Sequence, residues 1–164
     1  MLKKYNMKAV IFLVSGLDYN RWTVESDNEK RFDLMSDEEV MELQNSGHIE
    51  FGGHTLTHVS FFDVDDERAR EEIVKDKEIT EKRLGKKLKV FAYPYGHKRK
   101  EVVEMVKKCG YSFAVSTDTG SGIFTKDLFD IRRTAIDKTS LINFLRRISP
   151  RYLQYKARKY KDKF

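Results

Sequence analysis

The chain has 164 residues, 40% of them apolar and 12% aromatic, which suits one domain with a continuous core. No apolar run approaches the ~20 residues that a membrane span requires, and Met1-Leu2-Lys3-Lys4-Tyr5 lacks the apolar centre of a signal peptide. The net charge of +6 sits at one end, since eight Lys/Arg and one Asp between Arg146 and Phe164 carry +7 and leave −1 on the other 145 residues; the single Cys109 excludes an internal disulfide and every multi-cysteine zinc motif.

Lys8 to Val14 is a continuous β-branched and aromatic run, which predicts a strand buried on both faces of a parallel sheet. Asp18 to Asp33 is polar and irregular, a loop placed to overhang a site. Ser36-Asp37-Glu38-Glu39 is a capping box opening a helix through Val40, Met41 and Leu43, closed by Gly47. His48 to Phe51 predicts a short strand running into Gly52-Gly53-His54-Thr55-Leu56-Thr57-His58. A longer helix spans Asp65 to Leu84, with Ala69, Ile73, Thr80 and Leu84 on one stripe and Gly85 as its stop. Leu88 to Ala92 is the next strand, ended by Tyr93-Pro94-Tyr95-Gly96; Glu101 to Lys108 is helix, stopped by Gly110; Ser112 to Ser116 is strand. Asp118-Thr119-Gly120-Ser121-Gly122 is a loop, Ile131 to Ile136 a strand, and Leu141 to Ile148 an amphipathic helix before Pro150. This alternation argues for a parallel sheet or barrel with helices outside, and there is no P-loop, GxGxxG or internal repeat.

His54 and His58 have metal-ligand spacing. In a helical turn, residues at i and i+4 share one face with Cβ atoms about 5–6 Å apart, and both rings reach one ion at about 2.0–2.1 Å. The alternative is a pair of ordinary histidines held by hydrogen bonds; the strand-end position, where α/β folds carry ligands, favours the metal. Tyr93-Pro94-Tyr95-Gly96 reads as a plain strand-ending turn or as part of a site. His97 either faces the pocket or is an exposed loop histidine, and His48, beside Gly47, is structural. Asp18 and Asp118 stand at strand-to-loop junctions, as turn-stabilising residues or as surrogate carboxylates for a metal. Cys109 reads as a buried thiol on a helix. The basic tail is a solvated terminal segment or a contact for an anionic surface.

With its pieces in this order, the chain resembles the polysaccharide deacetylase family, the NodB-homology domains of carbohydrate esterase family 4. His54-Thr55-Leu56-Thr57-His58 is similar to the family's H-[ST]-x-x-H metal motif, and Phe91-Ala92-Tyr93-Pro94-Tyr95-Gly96 to its R-x-P-Y-G-like segment. Leu2 to Ala9, Ile49 to Gly53, and Asp130-Ile131-Arg132-Arg133 resemble flanking stretches, the last in the poly-N-acetylglucosamine (adhesin) deacetylase branch. The resemblance implies a distorted (β/α) barrel with fewer strands than the regular eight. It implies a deacetylase-like domain over residues 1–149, followed by a basic tail over 150–164. It implies a metal-dependent hydrolase removing N-acetyl or O-acetyl groups from a hexosamine-containing polysaccharide at the cell envelope or outside the cell. His54 and His58 would hold a divalent metal, zinc first, with cobalt, nickel or manganese as alternatives. The Tyr95 backbone N–H, set by Pro94, would face the oxyanion, and Tyr93, Tyr95 and His97 would contact substrate.

Three departures accompany these matches. The family's first strand ends in two aspartates, the base and the third metal ligand, and no residue precedes Met1 to supply them; Ala92 stands where an arginine is common; no histidine follows His97 to act as the late general acid. The chain therefore reads as a family member missing its first βα unit, with impaired hydrolysis and a tendency to self-associate through the exposed sheet edge. The alternative is a non-catalytic carbohydrate- or partner-binding module of the same fold. A nucleic-acid role for the tail is the weakest reading, and no nucleic-acid partner is expected.

Overall fold

In a computed structural model, the protein is described over residues 1–27, 29–117, 127–133, 136, 140–149, 151, 152, 154 and 155. Five strands, β1 (Ala9–Leu13), β2 (Ile49–Gly53), β3 (Val90–Ala92), β4 (Phe113–Thr117) and β5 (Ile131–Arg133), form one sheet in the order 1-2-3-4-5. Every neighbouring pair is parallel, with Ala9 opposite Ile49, Gly53 opposite Phe91, Val90 opposite Phe113 and Val115 opposite Ile131. Consecutive parallel strands joined by right-handed crossovers keep their helices on one face. That is the winding of a barrel rather than of a doubly wound sheet.

The helices are α1 (Arg21–Asp27), α2 (Asp37–Asn45), α3 (Asp66–Leu84), α4 (Lys100–Lys108) and α5 (Leu141–Ile148). Ser36 caps α2 through a complete capping box with Glu39, and Asp65 caps α3 by accepting from the Arg68 N–H. Gly85, at φ 65°, ends α3 in the left-handed conformation that a residue with a Cβ resists. Leu13, Phe51, Phe91 and Ala114 from the sheet meet Val40, Ala69, Ile73, Val102 and Val106 from α2, α3 and α4 in the main core. On the opposite face Val90, Ala92 and Val115 pack with Phe12, Phe113 and Ile131.

Several expectations are corrected. The stretch from Asp18 to Asp33 is not all loop: it holds α1 and an isolated antiparallel bridge between Tyr19 and Asp33. β1 is parallel but not buried on both faces, because it lies at the edge of the described sheet and Val10 stays exposed. A short 3₁₀ turn over Lys3–Tyr5 precedes it. β5 is described only to Arg133, Asp118 lies outside the described residues, and the basic tail is described only at 151, 152, 154 and 155.

Candidate active site

β2 and β3 end side by side, and the residues that follow them build the site. The segment 54–58 is not a helical turn. Thr55 and His58 adopt left-handed φ values of 71° and 59°, so the chain doubles back and brings the two imidazoles together, with ring centroids 4.8 Å apart and planes at 77°. The carbonyls of Thr55 and Leu56 accept the N–H groups of Ser15 and Gly16 at 3.4 and 2.8 Å, which ties this loop to the end of β1. Gly52 and Gly53 have no room for a side chain: a Cβ on Gly52 would meet Phe12 at 2.7 Å, and one on Gly53 would meet Asp76 Oδ2 at 2.6 Å and the Tyr111 hydroxyl.

His54 Nδ1 donates to the Ala92 carbonyl at 2.7 Å. With the proton fixed there, Nε2 carries the lone pair, the form in which a histidine ligates a metal. His58 is held between aromatic rings. Trp22 of α1 stacks on it at 4.5 Å and 25°, and Tyr95 meets it edge-on at 4.8 Å; its buried Nδ1 has no hydrogen-bond partner. Burial pushes both imidazoles down to about 4, helped by the charge of Arg133 at His54 and by His54 itself at His58. Both are therefore neutral near pH 7.

A cavity of about 330 Å³ opens over the pair, with Phe12, Leu17, Trp22, Asp33 and Arg83 in its wall. Asp18 lines a neighbouring cavity of about 750 Å³ with Ser15, Asp37, Lys82 and Arg83, rather than the one over the histidines. The two neutral rings and the orphaned Nδ1 of His58 fit one half of a divalent-metal site. Among the described residues, no third His, Cys, Asp or Glu joins them to make a metal-holding group.

Tyr93-Pro94-Tyr95-Gly96 forms a 3₁₀ turn at the end of β3, closed by Gly96 N–H to Tyr93 O and His97 N–H to Pro94 O, both at 3.0 Å. Tyr95 takes φ 57° and Gly96 φ 75°, and a Cβ on Gly96 would collide with Thr117. The turn exposes the Tyr95 side chain beside His58, while Pro94 is buried. Tyr93 goes elsewhere: at 1% exposure its ring packs against Phe61 and Phe91, and its hydroxyl donates to Phe129 O at 3.1 Å. Its side chain, expected at the substrate, lies in the core and braces the turn from there. His97 borders the turn, with Ser60 Oγ at 3.0 Å from Nδ1 and Phe62 stacked at 4.6 Å. His48 is structural, its Nδ1 bonded to Met7 O at 3.0 Å.

The family model for polysaccharide deacetylases matches residues 1–114. The chain belongs to the polysaccharide deacetylase family. It is 30% identical over 126 residues to the poly-beta-1,6-N-acetyl-D-glucosamine N-deacetylase of Staphylococcus aureus (strain N315), a match covering 72% of this chain and 41% of that protein. The chain thus spans about two-fifths of that relative's length. Among solved structures it is similar to the deacetylase PplD of Streptococcus pyogenes, solved in complex with acetate, at TM-score 0.71 and 20% identity over 91% of this chain and 62% of that one. It is also similar to BA3943 of Bacillus anthracis, a CE4 family pseudoenzyme, at TM-score 0.55 and 19% identity over 97% and 43%. These neighbours establish the α/β barrel-type fold, which hosts a deacetylase and a pseudoenzyme alike.

Sequence reasoning gave no site role to four residues that build the site. Trp22 is the only tryptophan and falls in a stretch read as loop, because a seven-residue helix carries too little periodicity to register. Arg133 lies with its guanidinium over Phe12 at 5.2 Å and donates to Ser116 O at 3.3 Å. Glu72 and Asp76, fully buried under the histidine loop, occupy the apolar stripe of α3 at helical spacing from Ala69, Ile73 and Thr80. Acidic residues on that stripe were the available signal.

Proposed function

We propose that this polysaccharide deacetylase domain binds N-acetylated hexosamine polymers at the cell envelope or outside the cell and, with a divalent metal, removes their acetyl groups at a low rate. The observation that carries the reading is the convergence of two neutral imidazoles beside the exposed Tyr95 turn. His54 Nε2 and a ring nitrogen of His58 are the groups that would hold the metal, zinc first, with cobalt, nickel or manganese as alternatives. Such an ion, when bound, polarises the acetyl carbonyl and acidifies a water.

The chain's own residues supply position and shape. Ala92 O fixes the His54 tautomer. Trp22 and Tyr95 flank His58 with apolar surface that suits the acetyl methyl and a sugar face. In this reading the Tyr95 N–H, aimed by the buried Pro94, faces the developing oxyanion, a contribution of about 2.7–4 kcal/mol for donors of this kind. His97 borders the same turn as a sugar contact. The low rate follows from proton transfer: general-base catalysis needs a carboxylate or imidazole in reach of the water, and both histidines are committed to the metal. Among the described residues no carboxylate joins them as a ligand.

The second reading is a carbohydrate- or partner-binding module without turnover, favoured by that same incomplete set and by the likeness to a pseudoenzyme. Acetate release from β-1,6- and β-1,4-linked N-acetylglucosamine oligomers, measured with zinc or cobalt added, separates the two. Metal-dependent release abolished by His54→Ala supports the hydrolase; oligomer binding with no release supports the module. Absence of both metal uptake and oligomer binding overturns the site.

A further inference from the structure

α3 carries two fully buried carboxylates one turn apart, Glu72 and Asp76, and both point into the histidine loop. Asp76 Oδ2 accepts the His54 N–H at 3.1 Å, while Oδ1 accepts Ser15 Oγ at 2.7 Å and Thr80 Oγ1 at 3.5 Å. Glu72 Oε2 accepts the Thr57 N–H at 2.8 Å, and Oε1 accepts Thr57 Oγ1 and an Arg68 guanidinium N–H, both at 2.6 Å. The backbone carbonyl of Glu72 also accepts the Leu56 N–H at 3.2 Å. The same helix therefore grips the loop at His54, Leu56 and Thr57, on either side of the left-handed residue Thr55 and just before the left-handed His58.

A non-glycine residue in the left-handed region costs free energy unless its surroundings over-determine it. Two such residues within four positions need external fixing, and the buried carboxyl oxygens of α3 supply it by accepting the loop's own N–H groups at 3.1 and 2.8 Å. We propose that Asp76 and Glu72 are positioning residues that hold the 54–58 segment in the conformation that converges the two imidazoles. Both carboxylates are fully buried and act through the loop, Asp76 on the His54 N–H and Glu72 on the Thr57 N–H and hydroxyl. The proposal rests on the metal-site reading above, and it makes its own claim about the metal-free loop.

The test uses Asp76→Ala, Glu72→Gln and the milder Thr57→Val and Ser15→Ala, each confirmed as folded by circular dichroism. Amide hydrogen exchange of residues 54–58 is measured without metal, and zinc affinity by calorimetry. The expected result is at least tenfold faster exchange at His54 in Asp76→Ala and at Thr57 in Glu72→Gln, with zinc binding 10–100-fold weaker, as for other supports of metal ligands. Folded variants with wild-type exchange and wild-type zinc affinity overturn the proposal. If the wild type takes up no zinc, the metal reading fails, and unchanged loop exchange in the variants then overturns the positioning claim separately. If Asp76→Ala or Glu72→Gln does not fold, Ser15→Ala and Thr57→Val decide: faster loop exchange supports the claim and unchanged exchange overturns it.

Discussion

His54 is oriented by the carbonyl of Ala92, 38 positions away on the neighbouring strand, through a 2.7 Å hydrogen bond to Nδ1. The bond exists because β2 and β3 pair in parallel, with Gly53 opposite Phe91, which sets the residue after β2 beside the last residue of β3. A backbone acceptor cannot be removed by changing the residue at 92, so the His54 tautomer is insensitive to side-chain identity there. The orientation belongs to the sheet register.

Replacing either imidazole should abolish metal uptake. His54→Ala and His58→Ala are each expected to weaken zinc binding by more than about 100-fold, beyond the range for losing a ligand's support. The His54→Ala chain also gives up its bond to Ala92, at a stability cost of about 1 kcal/mol. Zinc content by mass spectrometry and thermal melting check both statements. Stoichiometric metal in the double variant would place the site elsewhere.

Gly53 is the tightest position at the mouth of β2. Gly53→Ala drives a methyl group into Asp76 and Tyr111, and overpacking of this kind costs about 1–3 kcal/mol. Because Asp76 carries the His54 N–H, zinc affinity should fall together with the urea midpoint. A melt unchanged within error would show that α3 moves aside freely.

Glu81 makes the acid limit predictable. Its carboxylate, largely shielded on α3, would be raised by burial, but Lys77, Lys87 and the Leu88 N–H outweigh that and bring it down to about 2. A folded-state value below the ordinary 4.5 means that its stabilisation is complete above pH 4.5 and is lost as pH falls toward 2. The contribution at neutral pH is on the order of 1–3 kcal/mol, reduced by the exposure of Lys87. Melting of wild type and Glu81→Gln should differ at pH 7 and converge by about pH 2; a constant gap across that window would refute the assignment.

The apolar face of α5 is uncovered among the described residues. Leu141, Ile142, Leu145 and Ile148 are all exposed, and β1 at the sheet edge leaves Val10 exposed as well. Contiguous apolar surface and open edges recruit other chains. The chain is expected to self-associate with rising concentration in light scattering, and Leu145→Lys with Ile142→Glu to shift it toward monomer. Identical mass for both proteins at every concentration would exclude this face.

The sequence alone carried most of the element order, because the signals for α2, α3, α4 and β1 to β4 are local: a capping box at Ser36 to Glu39, left-handed stops at Gly85 and Gly110, and apolar runs of strand length. It also carried His54, His58 and the Tyr93 to Gly96 turn, since their spacing is short-range. Tertiary structure decided the rest. The two imidazoles meet through left-handed backbone at Thr55 and His58 rather than through a helical turn, and that conformation is held from α3 by Glu72 and Asp76. Trp22 reaches His58 from α1, and Tyr93 turns into the core although its neighbour Tyr95 stays exposed. These placements depend on packing between segments tens of residues apart, and a one-dimensional pattern holds no record of which buried carboxylate will find which backbone N–H.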